Sequence, residues 1–285
     1  MRMCVFAGLL AILGTTAALA DAKQSCQTLT DAVRLRADAG LSPRTKTGLA
    51  ACNRAVRNNP TDAESYDDRG TLHQRKGKID LAKADFAKAI DLNPKFAKAY
   101  CNRCGVERNH DQGLADCTKA IDLDPNSGCY VNRGSLYYVK KDYDRAIADL
   151  TKAIELNPKS PYPYVNRCAA LIDKREPDRA LADCNKGIEM GDRSPVAYGN
   201  RAQACWSKGD HARAIADANT AIKIDPKYGD AYLNRARGYL LAGKPVQAQR
   251  DIRKSLRLSP KDADSLEVQT QITQALQKKA AGAVR

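Results

Sequence analysis

Apolar positions along this chain recur at helical spacing, and the strict apolar–polar alternation of a half-buried strand is absent. Superimposed on that period is a phrase written six times. It reads Tyr-x-x-Arg-small, then a linker, then Ala-(Ile/Leu)-Ala-Asp-x-x-Lys-(Ala/Gly)-Ile, usually closed by Asn-Pro or Asp-Pro. The clearest copy runs from Tyr130 to Pro158, and the openings are Tyr66, Tyr100, Tyr130, Tyr164, Tyr198 and Tyr232. Successive openings are 34 residues apart, except for the 30-residue step from Tyr100 to Tyr130. Each step predicts two short helices, the second ended by a proline that cannot continue it. Small residues at facing slots let the two helices approach closely, and tyrosine and larger apolar residues fill the gaps. Stacked units of this kind share one continuous core, so the length of 285 residues does not by itself set a domain count.

The slots can be followed copy by copy. From Ala63 they hold Tyr66, Gly70, Ala82, Phe86, Ala89 and Pro94. The next copy holds Tyr100, Cys104, Gly113, Cys117, Ala120 and Pro125, and the last holds Tyr232, Ala236, Ala248, Ile252, Ser255 and Pro260. This pattern resembles the tetratricopeptide repeat family over nearly all of the chain beyond residue 20. The resemblance implies an all-α fold: a right-handed α-solenoid of helix hairpins, each a helix A followed by a helix B, with a C-terminal capping helix. The expected organisation is a signal peptide over 1–20 and a divergent N-terminal helical hairpin over 21–60. Six repeats follow over 61–260 (61–94, 95–125, 126–158, 159–192, 193–226 and 227–260), then the capping helix and basic tail over 261–285. The second copy is shortened between its helices, and a tighter turn is expected there.

Residues 1–20 carry Arg2, an apolar stretch through Leu13 and a small-x-small ending at Ala18-Leu19-Ala20, the pattern of a secretory signal peptide cleaved near Ala20. The apolar run is shorter than the roughly 20 residues of a spanning helix. A periplasmic or secreted protein without a transmembrane segment is therefore expected, an uncleaved N-terminal anchor being the alternative. The formal net charge of +14 favours acidic partners and anionic surfaces. Export and the lack of a nucleic-acid motif argue against nucleic acid.

Two constellations look chemical. Every copy carries an arginine three residues after its tyrosine (Arg69, Arg103, Arg133, Arg167, Arg201, Arg235) and an aspartate in its second helix (Asp85, Asp116, Asp149, Asp183, Asp217, Asp251). The N-terminal hairpin lacks both, with Leu35 and Ala51 at the matching places. Joint presence and joint absence point to contact, since a guanidinium facing a carboxylate makes two parallel hydrogen bonds. A structural Arg–Asp ladder is expected, with a cationic ligand groove as the competing reading.

The cysteines are the second constellation. Cys101, Cys104, Cys117 and Cys129 lack the second close pair of a zinc knuckle, so no metal is expected. In the family's hairpin the small-residue slots of helices A and B face each other. The resemblance therefore implies disulfides Cys104–Cys117 and Cys168–Cys184 in an oxidising compartment, with Cys26 as the partner of Cys52 in the first hairpin. Cys101 and Cys129 lie on neighbouring A helices and either pair or stay free. Cys205 is left over as a buried thiol or an intermolecular link.

No Gly-rich phosphate loop, HExxH motif or nucleophile elbow occurs, and none of the three histidines lies near a nucleophile motif; neither an enzyme nor a cofactor is expected. The resemblance implies that the A helices line a groove for an extended peptide or partner helix. Along that face the first two copies present polar groups such as Glu64, Asp67, Lys98 and Arg108. The later copies present Tyr138, Tyr162, Val165, Ile172, Trp206, Leu233, Arg237, Leu240 and Leu241. An exposed apolar strip containing Trp, Tyr and Arg marks an interaction site, unless its members pack on adjacent A helices or the cap. The expected function is a non-enzymatic protein–protein interaction scaffold. The alternative is a cell-envelope accessory protein whose basic surface binds an acidic polymer or membrane surface. The sequence does not specify an oligomeric state.

Overall fold

In the computed structural model, which describes residues 20–28, 30 and 43–283, every regular element described is a helix. The expected signal peptide lies outside these residues except for Ala20. Helix α1 covers 20–28 and α2 covers Pro43–Asn58. Paired A and B helices follow: α3 (Ala63–Arg75) with α4 (Ile79–Leu92), α5 (Ala97–Cys104) with α6 (His110–Leu123), and α7 (Ser127–Val139) with α8 (Tyr143–Leu156). Next come α9 (Tyr162–Asp173) with α10 (Pro177–Glu189), α11 (Pro195–Ser207) with α12 (His211–Ile224), and α13 (Gly229–Leu241) with α14 (Pro245–Leu258). The last helix is α15 (Ala263–Ala283). The chain divides into two units, Met1–Leu136 and Tyr137–Arg285.

Within Met1–Leu136, α1 and α2 close on Ala22, Cys26, Ala51, Cys52 and Ala55, with Leu72 of α3 packed on the same cluster. The α3–α4 hairpin is fixed by its smallest slot. A Cβ on Gly70 would lie 2.6 Å from the Phe86 ring, so only glycine admits that ring. Phe86 is fully buried, which contributes roughly 2–3 kcal/mol. Asp62 caps α3 by accepting from the Ser65 amide, satisfying a donor that the first helical turn leaves free.

Within Tyr137–Arg285, successive hairpins repeat this logic with alanine: Ala180, Ala214 and Ala248 are each fully buried in a B helix. Prolines sit in the first turns of α10, α11 and α14, where a missing N–H costs nothing. Ser194 and Asp210 cap α11 and α12 through the Ala197 and Arg213 amides. Helix α15 lays Val268 and Ile272 on Leu233, Ala236 and Ile252, covering the end of the stack.

The A–B turns share one conformation. Most have three residues, and the middle one has positive φ: Gly77 (68°) in the first unit, and Lys141 (61°), Arg175 (65°), Gly209 (77°) and Gly243 (67°) in the second. The second repeat differs from expectation. Its turn is longer, five residues from 105 to 109, and the deletion shortens helix A instead, to the eight residues of α5. The start of α6 is held by Asn109, whose side chain accepts from the Asp111 and Gln112 amides. Helix B therefore keeps its full length while the lost residues come out of helix A. Among the described residues no helix is long and apolar enough to cross a membrane. The fold class is an all-α helical-repeat solenoid.

Candidate functional site

Five Arg–Asp pairs have the two-bond geometry. In each, Nε and Nη2 of the arginine donate to the two carboxylate oxygens at 2.6 to 2.9 Å: Arg69–Asp85, Arg103–Asp116, Arg167–Asp183, Arg201–Asp217 and Arg235–Asp251. These aspartates are buried. The paired carboxylate holds each guanidinium above its already high pKa, against the opposing effect of burial. Each arginine also lies over the tyrosine three residues before it, 5.2 to 5.9 Å from the ring centroid. Its remaining Nη1 usually reaches back one helix B: Arg69 to Asn53, Arg167 to Thr151, Arg201 to Asn185 and Arg235 to Asn219. Arg133 does the same toward Thr118 at 3.2 Å, over Tyr130. Arg133 and Asp149 belong one to each unit, and their pairing stays an expectation. With their forks engaged in this way, the paired arginines are structural ties and form no cationic ligand groove.

A second ladder escaped the sequence reasoning. The residue two after each tyrosine is asparagine in five of the six copies, and in four of these its Nδ2 reaches one A helix back. Asn132 donates to the Cys101 carbonyl at 3.2 Å in the first unit; Asn200 donates to Val165 at 3.3 Å and Asn234 to Gly199 at 3.0 Å in the second. Asn102 instead bonds Asp67 at 2.6 Å. The signal was the asparagine's recurrence at Asn102, Asn132, Asn166, Asn200 and Asn234. These bonds set the spacing of the A helices and hence of the face they present.

That face is narrower than the sequence implied. Val165, Ile172 and Leu233 are buried, at 3%, 8% and 5% exposure, and so present no surface to a partner. The reason is packing between neighbouring helices. Val165 fits against Gly187, where a Cβ would lie 2.6 Å away, and against Ile188 and Ala197. Ile172 joins Leu171 and Ala204, and Leu233 is covered by α15. Asp67, expected on the polar end, is also buried and pairs with Lys98 at 3.1 Å. Tyr162 and Leu241 remain exposed, with Val139 beside them, while Tyr138, Trp206 and Leu240 are half-buried.

Two contacts organise what remains. The Tyr138 hydroxyl donates to Asp173 on α9 at 2.8 Å; burial first, and then that carboxylate, push the phenol's pKa well up. Arg237 of α13 lies 4.7 Å over the Trp206 ring of α11, and its Nη2 donates to Asp264 of α15 at 2.7 Å. Arg237 is itself buried, and its Nε finds no partner.

The cysteines are brought together as four bonded pairs. Cys26–Cys52, Cys101–Cys129, Cys104–Cys117 and Cys168–Cys184 have Cα separations of 4.7, 5.3, 5.4 and 5.5 Å, all within the range a disulfide spans. Cys205 is the free, buried cysteine among those described, and burial pushes its thiol pKa up.

The sequence profile of the family described as Tetratricopeptide repeat matches residues 63–96, 129–160 and 195–228. The Hsp70-Hsp90 organizing protein of Triticum aestivum is 29% identical over 78 residues, covering 26% of this chain and 13% of that protein. The chain thus spans about an eighth of the length of that curated relative. Among solved structures, the APC/C hetero-tetramer Cut9-Hcn1 aligns with a TM-score of 0.71 and 17% identity, over 81% of this chain and 49% of its own. A tetratricopeptide repeat protein from Parabacteroides merdae ATCC 43184 aligns with a TM-score of 0.60 and 21% identity, over 88% of this chain and 99% of its own. Both structural likenesses speak to the fold. The profile matches and the slot-by-slot pattern of six copies show that the chain is built of tetratricopeptide repeats.

Proposed function

We propose that this chain is a non-enzymatic protein–protein interaction scaffold that holds a peptide segment or partner helix along the A-helix face of Tyr137–Arg285. The observation that carries this reading is the half-buried Trp206 ring, with Arg237 held over it by Asp264. Trp, Tyr and Arg dominate the energetics of protein interfaces. Tyr138, Ile172, Trp206 and Leu240 also share one slot at 34-residue spacing, where the earlier copies place Gln74 and Arg108. Apolar character at this slot is therefore confined to the later copies. A relative whose name describes an organizer of Hsp70 and Hsp90 fits a scaffold role. Four cysteine pairs at bonding distance support residence in an oxidising compartment, periplasmic or extracellular.

The test is selection of binders from a displayed random-peptide library against the full chain. Peptides recovered from it are expected to lose about tenfold or more in affinity for Trp206→Ala and for Leu241→Asp, as hot-spot changes do. Recovered peptides that bind Trp206→Ala as tightly as the unchanged protein would overturn the reading.

A further inference from the structure

The last B helix carries three arginines on its outer face, two of them at slots where none of the other five has a cation. Arg250 stands where Ala84, Ala115, Ala148, Ala182 and Ala216 stand in the earlier copies. Arg253 stands where Thr118, Thr151, Asn185 and Asn219 accept from the arginine of the next repeat and the first copy has Ala87. Arg257 stands where four copies are acidic (Asp91, Asp122, Glu155 and Glu189) and the fifth has Lys223. The facing helix changes in step: α15 carries Leu266 at the tyrosine slot and Gln269 at the ladder-arginine slot. At this junction, then, the guanidinium that would reach back from the next helix is missing, and an arginine stands at the slot that would have received it.

The consequence is a wider opening. Two junctions earlier the outer groove is lined by Asn185, Arg201 and Asp217, among others, and has a volume of about 290 Å³. At the α14–α15 junction the groove has a volume of about 610 Å³ and is lined by Arg250, Arg253, Leu256, Arg257 and Gln269. All three arginines are exposed, and among the described residues none is paired with a carboxylate. Their spacing of three and four residues sets them along one helix face over about 10 Å.

We propose that this end groove binds a short acidic peptide segment, its carboxylates on Arg250, Arg253 and Arg257 and its aliphatic stems on Leu256. The stripe is entirely arginine, whose planar fork takes carboxylates two bonds at a time. The same pairing, guanidinium to carboxylate between neighbouring helices, is built five times within the hairpins of this chain. An extended peptide rises roughly 3.3 Å per residue, so three or four residues cover the stripe. The groove uses outer positions of α14 and leaves the face around Trp206 unoccupied.

The experiment is fluorescence anisotropy of a labelled hexaglutamate peptide with the full chain, beside a hexaglutamine peptide, at low ionic strength and again at about 0.15 M. Hexaglutamate is expected to bind with salt-sensitive affinity and hexaglutamine not to bind. The triple change Arg250→Gln, Arg253→Gln, Arg257→Gln is expected to weaken binding about tenfold or more. Arg250→Ala alone, which restores the residue of the other five copies and keeps the fold, should weaken it about twofold to fivefold. Lys88→Gln, Lys119→Gln, Lys186→Gln removes the same net charge elsewhere and should change little, and Trp206→Ala should change nothing. Equal loss in the lysine triple would overturn the site in favour of diffuse charge. Loss in Trp206→Ala would move binding to the A-helix face. Arginine-dependent capture of anionic phospholipid vesicles without hexaglutamate binding would overturn the peptide assignment.

Discussion

Arg201 and Asp217 face each other across the α11–α12 hairpin through two hydrogen bonds of 2.8 and 2.7 Å, while Arg201 Nη1 reaches back 3.1 Å to Asn185 on α10. One guanidinium thus ties the two helices of its own repeat to the helix before them. The tyrosine beneath it, Tyr198, supplies the platform at 5.7 Å. Repetition of this unit converts a stack of hairpins, each weak alone, into coupled neighbours.

Asp217→Ala leaves a mostly buried guanidinium without its counter-charge, and the expected loss of stability is up to roughly 3–5 kcal/mol. Arg201→Leu combined with Asp217→Ala removes both charges, so the double variant is expected to be more stable than Asp217→Ala alone. Urea unfolding followed by circular dichroism checks this. A double variant as unstable as the single one would mean that the pair contributes nothing as a pair.

Most of the fold was legible because a repeat states its slots six times. Tyr66 and Gly70 each recur in kind at the right offset, and the Arg–Asp pairing could be read from the joint absence of both residues in the first hairpin. The candidate face was legible only in part. Val165 and Leu233 occupy positions that periodicity assigns to the A-helix surface, but the next A helix and α15 bury them. Burial by a neighbouring repeat depends on the distance between helices, and here that distance is set partly by Asn200 and Asn234. The partner of Arg237 was hidden for a related reason: Asp264 lies on α15, whose sequence carries no copy of the repeat phrase.

Cys168 and Cys184 join α9 to α10 at slots that the fifth copy fills with Ala202 and Ala218. Closing a loop of about 15 residues restricts the unfolded chain by roughly 3 kcal/mol. Replacing both with alanine is expected to lower stability by about that amount under oxidising conditions and to abolish the destabilising effect of reductant on this hairpin. Cys205 should behave oppositely: buried and held protonated, it is expected to react slowly with a thiol reagent in the native state and rapidly after unfolding. Rapid native labelling of Cys205 would contradict its placement.

Arg175 holds φ at 65° in the middle of the α9–α10 turn, the place filled by Gly77, Gly209 and Gly243 in other repeats. A side chain in the left-handed region costs roughly 1 kcal/mol, while glycine adopts it freely but gives up more chain entropy. Arg175 is exposed and its side chain is not needed for packing. Arg175→Gly is therefore expected to raise stability by about 0.5 kcal/mol, and Arg175→Val, branched at Cβ, to lower it by about 1 kcal/mol or more. Thermal melts of the two variants give the sign directly.

His73 supplies the pH dependence of the first repeat. Burial lowers its pKa, and Arg69, Lys78 and Lys76 add to that, while Asp85, 3.8 Å from its Nε2, pulls the other way. Its Nδ1 finds no partner, so protonation would place a second buried donor where none can be satisfied. Because the folded pKa lies below the unfolded value of about 6.5, the unfolded chain takes up the proton first as pH falls. The contribution of neutral His73 is complete above about pH 6.5 and is lost as pH falls through the folded value. Glu107, held low by the Lys83 ammonium and the Asn109 amide, loses its own contribution only below about pH 4.5, so the two windows separate. Urea midpoints measured at about pH 7.5 and about pH 5.5 should fall for the unchanged protein and fall less for His73→Leu. An equal drop in both proteins would place the pH sensitivity outside His73.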